Sequence, residues 1–127
     1  MAQPQDLLYS KEHEWVKLDG DTATVGITDY AQNSLGDIVY VELPKTGKAV
    51  AQFANVGVVE SVKAVSDLFT PIGGEIVETN VALDADPALV NRDPFGGGWL
   101  FKLKVNHAAG EAANLLKPDA YEKLTQE

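Results

Sequence analysis

Apolar residues in this chain fall in short runs, broken again and again by glycine, proline and paired polar residues, and most runs carry the period of a strand. Glu14-Trp15-Val16-Lys17-Leu18 alternates, reaches the hairpin signal Asp19-Gly20-Asp21, and returns as Thr22–Ile27. Trp15 reads as a core or rim anchor, and Gly26 as a weak rung or a point of close approach. Thr28-Asp29 offers an N-cap to a short helix over Tyr30–Leu35, which Gly36 stops. Asp37–Leu43 is a β-rich strand ended by Pro44; Lys45-Thr46-Gly47-Lys48 is a turn, and Ala49–Ala51 a further short strand.

The next run carries the most information. Val56, Val58 and Val62 share one strand parity, and Gly57, Val59, Ser61 and Lys63 the other. Beyond Lys63 the β-branched density falls, and Ser66-Asp67 followed by Thr70-Pro71 predicts a turn before Gly73–Glu78 forms the next strand. A lysine at the end of a strand, with small or apolar neighbours, is an amine presented at a hairpin tip. Two strand–turn–strand units are visible, one turning near Pro44–Gly47 and one near Lys63.

Further on, Asn80 ends a strand, and Asp86-Pro87 sets a capping residue and an N1 proline before Ala88-Leu89-Val90. Asn91–Gly98 is turn-rich, with Gly96–Gly98 a flexible turn. Trp99, Phe101, Leu103 and Val105 share one strand face, opposite Lys102 and Lys104. Helices close the chain, one around Glu111–Leu116 and one capped by Asp119 with Glu122 three residues on. Many short strands with modest flanking helices predict an antiparallel sandwich or barrel-like fold.

Composition narrows the function. At 127 residues the prior is one domain, 1–127, with 1–6 expected as a loose leader. There is no cysteine, so neither disulfides nor thiolate chemistry belong to the chain itself. Ten basic against nineteen acidic residues give −9, which argues against nucleic acid and suits either solubility or steering toward basic partners. No apolar run matches a membrane span, and Met1–Asp6 carries no targeting pattern. A bacterial cytoplasm fits, as does a mitochondrial matrix for a processed form. His13 and His107 stand far apart without metal-ligand spacing and read as structural or surface residues; no nucleophile elbow or phosphate-cradling loop is present. The chain reads as a carrier rather than an enzyme: the chemistry would come from a cofactor.

Glu60-Ser61-Val62-Lys63-Ala64, with Ser66-Asp67 after it, resembles the lipoyl-attachment motif of the H-protein family of the glycine cleavage system. His13-Glu14-Trp15-Val16, Ala23–Ala31, Leu35–Val39, Val41-Glu42-Leu43-Pro44 and Gly98-Trp99-Leu100 extend the likeness, in order, over roughly residues 7–125. The resemblance implies a mainly β fold of two packed antiparallel sheets, the lipoyl/biotinyl-carrier-like barrel-sandwich hybrid, with short flanking helices and a C-terminal helix. It implies covalent lipoate on Lys63, added by a lipoate ligase or a lipoyl/octanoyl transferase that reads a hairpin including Glu60, Ser61, Val62 and Ala64. Glu60 shares parity with Val58 and Val62, so it serves that recognition or the strand simply surfaces there.

The resemblance also implies the shuttle: the aminomethyl group of glycine passes from the decarboxylating P protein to the T protein, and the L protein, dihydrolipoamide dehydrogenase, reoxidises the arm. By position Glu14 and Asp67 match an acidic cleft that holds the loaded arm, and Glu12 stands where some relatives carry serine. All three also read as solvated surface carboxylates. A biotinyl carrier would set methionine on both sides of the lysine, where Val62 and Ala64 stand here; an acyltransferase lipoyl domain would show Asp-Lys-Ala and a linker. An unmodified binding module, or a protein relaying lipoyl groups to other enzymes, remains the alternative.

Overall fold

The structure, a computed structural model, describes residues 6–105 and 108–125. The leader expected over 1–6 thus lies outside it apart from Asp6, as does His107.

The chain forms β1 (Leu8–Tyr9), β2 (Glu14–Asp19), β3 (Thr22–Ile27), α1 (Asp29–Leu35), β4 (Ile38–Glu42), β5 (Ala49–Val50) and β6 (Asn55–Ser61). It continues through β7 (Val65–Phe69), β8 (Gly74–Thr79), α2 (Ala82–Ala85), α3 (Leu89–Arg92), β9 (Phe101–Lys104), α4 (Ala108–Ala112) and α5 (Pro118–Thr125). One sheet has the order β1-β2-β3-β9-β8-β5 and the other β4-β6-β7, and the described pairings are all antiparallel. Val25, Ile76, Phe101 and Leu103 from the first sheet meet Ile38, Val41, Val59 and Leu68 from the second in one apolar core. The mainly β, two-sheet architecture with short helices is the expected one.

Local chemistry explains most element ends. Thr28 Oγ1 accepts the Ala31 N–H at 3.2 Å, which makes Thr28 the cap and Asp29 the first helical residue of α1. Gly36 closes that helix at φ 84° and ψ −157°, where a side chain would be strained. Phe101, Leu103 and Val105 are buried on the face predicted for them; Trp99, predicted with them, lies outside β9 and half-buried, with Lys102 Nζ over its ring at 4.9 Å. Gly96–Gly98 is a turn, held by Asp93, whose carboxylate accepts the Gly97 N–H at 2.8 Å.

Several expectations need correction. Ser66-Asp67 is not a turn but the middle of β7, because Val65–Phe69 pairs with β6 and its ladder outweighs the local turn propensity of Ser-Asp. The uniform parity of residues 56–63 also fails. A bulge between Asn55 and Gly57 sets two residues of β6 against one of β7, so Val56, Val59 and Ser61 turn inward and Val58 and Glu60 outward. The turn near Pro44–Gly47 joins no hairpin: β4 pairs with β6 and β5 with β8, so this turn carries the chain from one sheet to the other. Asp86 does not cap α3 but pairs with Arg92. The helix expected at Glu111–Leu116 ends at Ala112, and Leu116 instead exchanges backbone hydrogen bonds with Tyr9 at 2.7 and 2.9 Å. Asp119 lies inside α5, which Pro118 begins. α2 was not foreseen; Asn80, the expected strand end, opens it by accepting the Ala82 N–H.

A second cluster of Leu7, Tyr9, Trp15 and Tyr121 docks α5 on the outer strands. Tyr9 and Tyr121 stack with centroids 4.6 Å apart, and Trp15 Nε1–H donates to the Pro94 carbonyl at 2.9 Å. Opposite Trp15 in the β2–β3 ladder stands Gly26, where a Cβ would come within 2.6 Å of three indole atoms. The close approach is the reason for this glycine. Gly26→Ala should therefore destabilise the fold by about 1–3 kcal/mol in urea unfolding; an unchanged midpoint would mean that the indole moves freely.

Candidate functional site

Lys63 stands in the three-residue connection between β6 and β7. Ser61, buried at the last position of β6, shapes it: Ser61 Oγ accepts the Ala64 N–H at 3.1 Å and the Lys63 N–H at 3.4 Å, while Ser61 N–H donates to the Ala64 carbonyl at 2.8 Å. A serine that bonds the backbone two and three residues on closes the turn with its own side chain. Val62, Lys63 and Ala64 project outward, and Val62 is 69% exposed. Among the described residues Lys63 has no salt-bridge partner. Its stem lies along Gly36, where a Cβ would meet Lys63 Cε at 3.4 Å, and the Val62 N–H donates to the Asp37 carbonyl at 3.0 Å. The tip is a fixed backbone carrying a free amine.

Glu60 is half-buried on the outer face of its sheet, with Tyr40 across on β4 and Val65 across on β7. Val65, Asp67 and Phe69 share the outer face of β7, so a line of side chains runs from the lysine tip along ~13 Å of strand. It ends at a cleft of about 350 Å³ lined by Ser10, Lys11, Glu12, Phe53, Phe69 and Asn114.

Glu14 lies beneath this cleft. It opens β2 and is 2% exposed; its carboxyl bonds the Ser10 hydroxyl and accepts the Phe69 N–H at 3.4 Å. Ser10 Oγ also accepts the Glu14 N–H at 3.1 Å. Burial pushes the Glu14 carboxyl from 4.5 up to about 8; its hydrogen bonds to Ser10 and Phe69 oppose that rise, and the charge of Glu12 adds to it. At neutral pH Glu14 is thus largely a neutral acid. Glu12 is exposed at the cleft wall, and Asp67 is exposed on the approach. Lys11 in the same wall keeps the cleft from being uniformly acidic.

The turn between β1 and β2 that carries these groups is itself anchored. His13, at φ 70°, brings Nδ1 within 2.9 Å of the Tyr121 hydroxyl, which lies 2.6 Å from Thr28 Oγ1. Burial lowers the His13 pKa and raises that of Tyr121 to about 12, so a neutral imidazole and a neutral phenol meet there. Of the structural or surface roles expected of His13, it has the structural one.

Of the residues singled out in the sequence, Lys63, Ser61, Val62 and Ala64 come together at the tip, with Glu60 just behind it. Glu12 and Glu14 gather at the cleft, and Asp67 lies between the two. Glu14 is not the solvated carboxylate that one reading allowed, because it is buried. Sequence reasoning missed Ser10, Phe53 and Phe69 in the cleft, and Gly36 and Asn91 beside the tip. Recognising Val65–Phe69 as a strand would have found Phe69; no local signal points to Asn91.

A family model described as "Glycine cleavage H-protein" matches residues 7–127. A glycine cleavage system H protein of Carboxydothermus hydrogenoformans is 52% identical over 124 residues, 98% of this chain and 95% of that protein. One of Thermus thermophilus is 51% identical over 126 residues, 99% of this chain and 98% of that protein. The crystal structure of a glycine cleavage system H protein from Mycobacterium marinum is similar with a TM-score of 0.87 at 38% identity, covering 98% of this chain and 100% of that one.

Proposed function

Because the chain belongs to the glycine cleavage H-protein family, we propose that it is the lipoyl-bearing shuttle of that system. It carries the aminomethyl group of glycine from the P protein to the T protein and is reoxidised by dihydrolipoamide dehydrogenase. The observation that carries this reading is the Lys63 amine, exposed at the tip of an internally hydrogen-bonded hairpin and, among the described residues, without an ion pair. Such an amine is accessible to a lipoate ligase or a lipoyl/octanoyl transferase, and its four-carbon stem suits amide formation with an activated carboxylic acid. Lipoate fits the residues present: an open amine, then a strand face leading to a cleft with aromatic and acidic walls.

When bound, the lipoyl group supplies a reducible disulfide able to carry a one-carbon fragment on sulfur. The protein does the positioning. Ser61 fixes the turn, and Val62 and Ala64 leave both sides of the lysine uncrowded. Glu60 and its neighbour Val65 offer the modifying enzyme a shaped outer face. Phe53 and Phe69 exclude water from one side of the cleft, while Glu12 and Asp67 attract a protonated amine from solvent. A cation seated over Ser10 would favour the ionised form of Glu14, which then gives up its proton and pairs with it.

The lipoylated chain, incubated with P protein and glycine, should gain the mass of glycine less carbon dioxide, an aminomethyl group on one sulfur and a hydrogen on the other, and the unlipoylated chain none. A lipoylated chain that gains no mass would overturn the reading.

A further inference from the structure

The hairpin tip rests on a pedestal outside its own strands. Its backbone bonds the Asp37 carbonyl through Val62, and the Lys63 stem lies on Gly36. Residues 36–38, between α1 and β4, are therefore the surface against which the lysine is held. What orients that segment is one side chain from α3. Asn91 Oδ1 accepts the Ile38 N–H at 2.9 Å, and Asn91 Nδ2 donates to the Gly36 carbonyl and to Gln32 Oε1, both at 2.9 Å. A primary amide has one carbonyl and one two-hydrogen amine, and here three bonds engage both ends of it. They span the last turn of α1, its cap and the first residue of β4. Asn91 lies far from the tip in sequence and has no other visible duty in the site.

We infer that Asn91 is a positioning residue for Lys63: by locking residues 36–38 it fixes the platform on which the amine is presented for acylation. The inference rests on the proposed role of Lys63 and names a residue that acts on it through the Gly36–Asp37 backbone. Asparagine is required because the task needs an acceptor for Ile38 and donors for Gly36 and Gln32 in one plane. Aspartate keeps the acceptor but sets a carboxylate against the Gly36 carbonyl.

Two readouts test this on the full-length, unacylated chain. Amide hydrogen exchange of Val62 should accelerate about tenfold in Asn91→Asp and Asn91→Ala, with the Phe101 amide in the core unchanged. The kcat/KM for acylation by a lipoate ligase with lipoate and ATP should fall about tenfold in the same variants. Gln32→Ala, which removes one of the three bonds and leaves the others, should shift both readouts in the same direction by a few-fold and keeps the test available if the Asn91 variants fail to fold. Val62 exchange at the wild-type rate in a folded variant would overturn the inference, as would equal acceleration at Val62 and Phe101, which is mere destabilisation. Failure of the wild-type chain to be acylated at all would instead overturn the proposed function, while the exchange measurement would still report the coupling of Asn91 to the tip.

Discussion

Lys63→Arg is expected to abolish lipoylation completely and, with it, uptake of the aminomethyl group, while leaving the melting temperature unchanged. Arginine keeps the positive charge and a long exposed stem, but its guanidinium does not form the amide that an ammonium group forms after losing a proton. The fold should not notice the change. The turn is closed by Ser61 and by backbone bonds, and the Lys63 head has no ion pair among the described residues. An exposed substitution of this kind usually shifts stability by no more than about 0.5 kcal/mol. Parallel thermal unfolding and intact-mass measurements separate the two effects. A variant that melts early would show that the lysine stem, through Gly36, is part of the packing.

The other large effect concerns Glu14. Its carboxyl titrates near 4.5 in an unfolded chain and at about 8 in the folded one. A raised carboxyl pKa means that, between those values, the folded state holds a proton that the unfolded state has lost. Stability therefore falls as pH rises from about 4.5 to about 8 and levels off above. At about 1.36 kcal/mol per decade the full interval is on the order of 5 kcal/mol. Glutamine reproduces the neutral acid, with its amide donating to Ser10 Oγ and its carbonyl accepting the Phe69 N–H. Glu14→Gln should thus flatten the pH dependence and exceed the wild type in urea unfolding at pH 8. If the two pH profiles ran parallel, Glu14 would be ionised throughout, and its burial would be offset by a cation or water that the hydrogen bonds do not reveal.

Both effects depend on features of unequal visibility in the sequence. The strands β2, β3, β4 and β9 were legible because β2 and β9 alternate in sequence, β3 returns from the Asp19-Gly20-Asp21 turn, and β4 is rich in β-formers and runs up to Pro44. β7 was not, since Val65-Ser66-Asp67-Leu68-Phe69 has weak period and carries a Ser-Asp pair that favours turns; only its pairing with β6 settles it. The bulge near Gly57 was invisible for a related reason: parity is counted along one strand, whereas a bulge is a property of two. Lys63 was singled out by its motif, and Glu14 by its position in the family pattern. The surroundings of the Glu14 carboxyl could not be read from sequence neighbours alone, because beside Ser10 it meets the Phe69 N–H, 55 residues away. Asn91 belongs to the same class. Its partners Gln32, Gly36 and Ile38 lie 53 to 59 residues earlier, and only the packing of α3 on α1 brings them into reach.

The most direct test of the account is where the lipoyl group goes. The wild-type chain, acylated with lipoate, ATP and ligase, should show one adduct by intact mass. Trypsin should then fail to cut after Lys63, giving a single peptide over residues 49–92 that carries the added mass. Separate, unmodified peptides 49–63 and 64–92, with the adduct on another lysine, would contradict it.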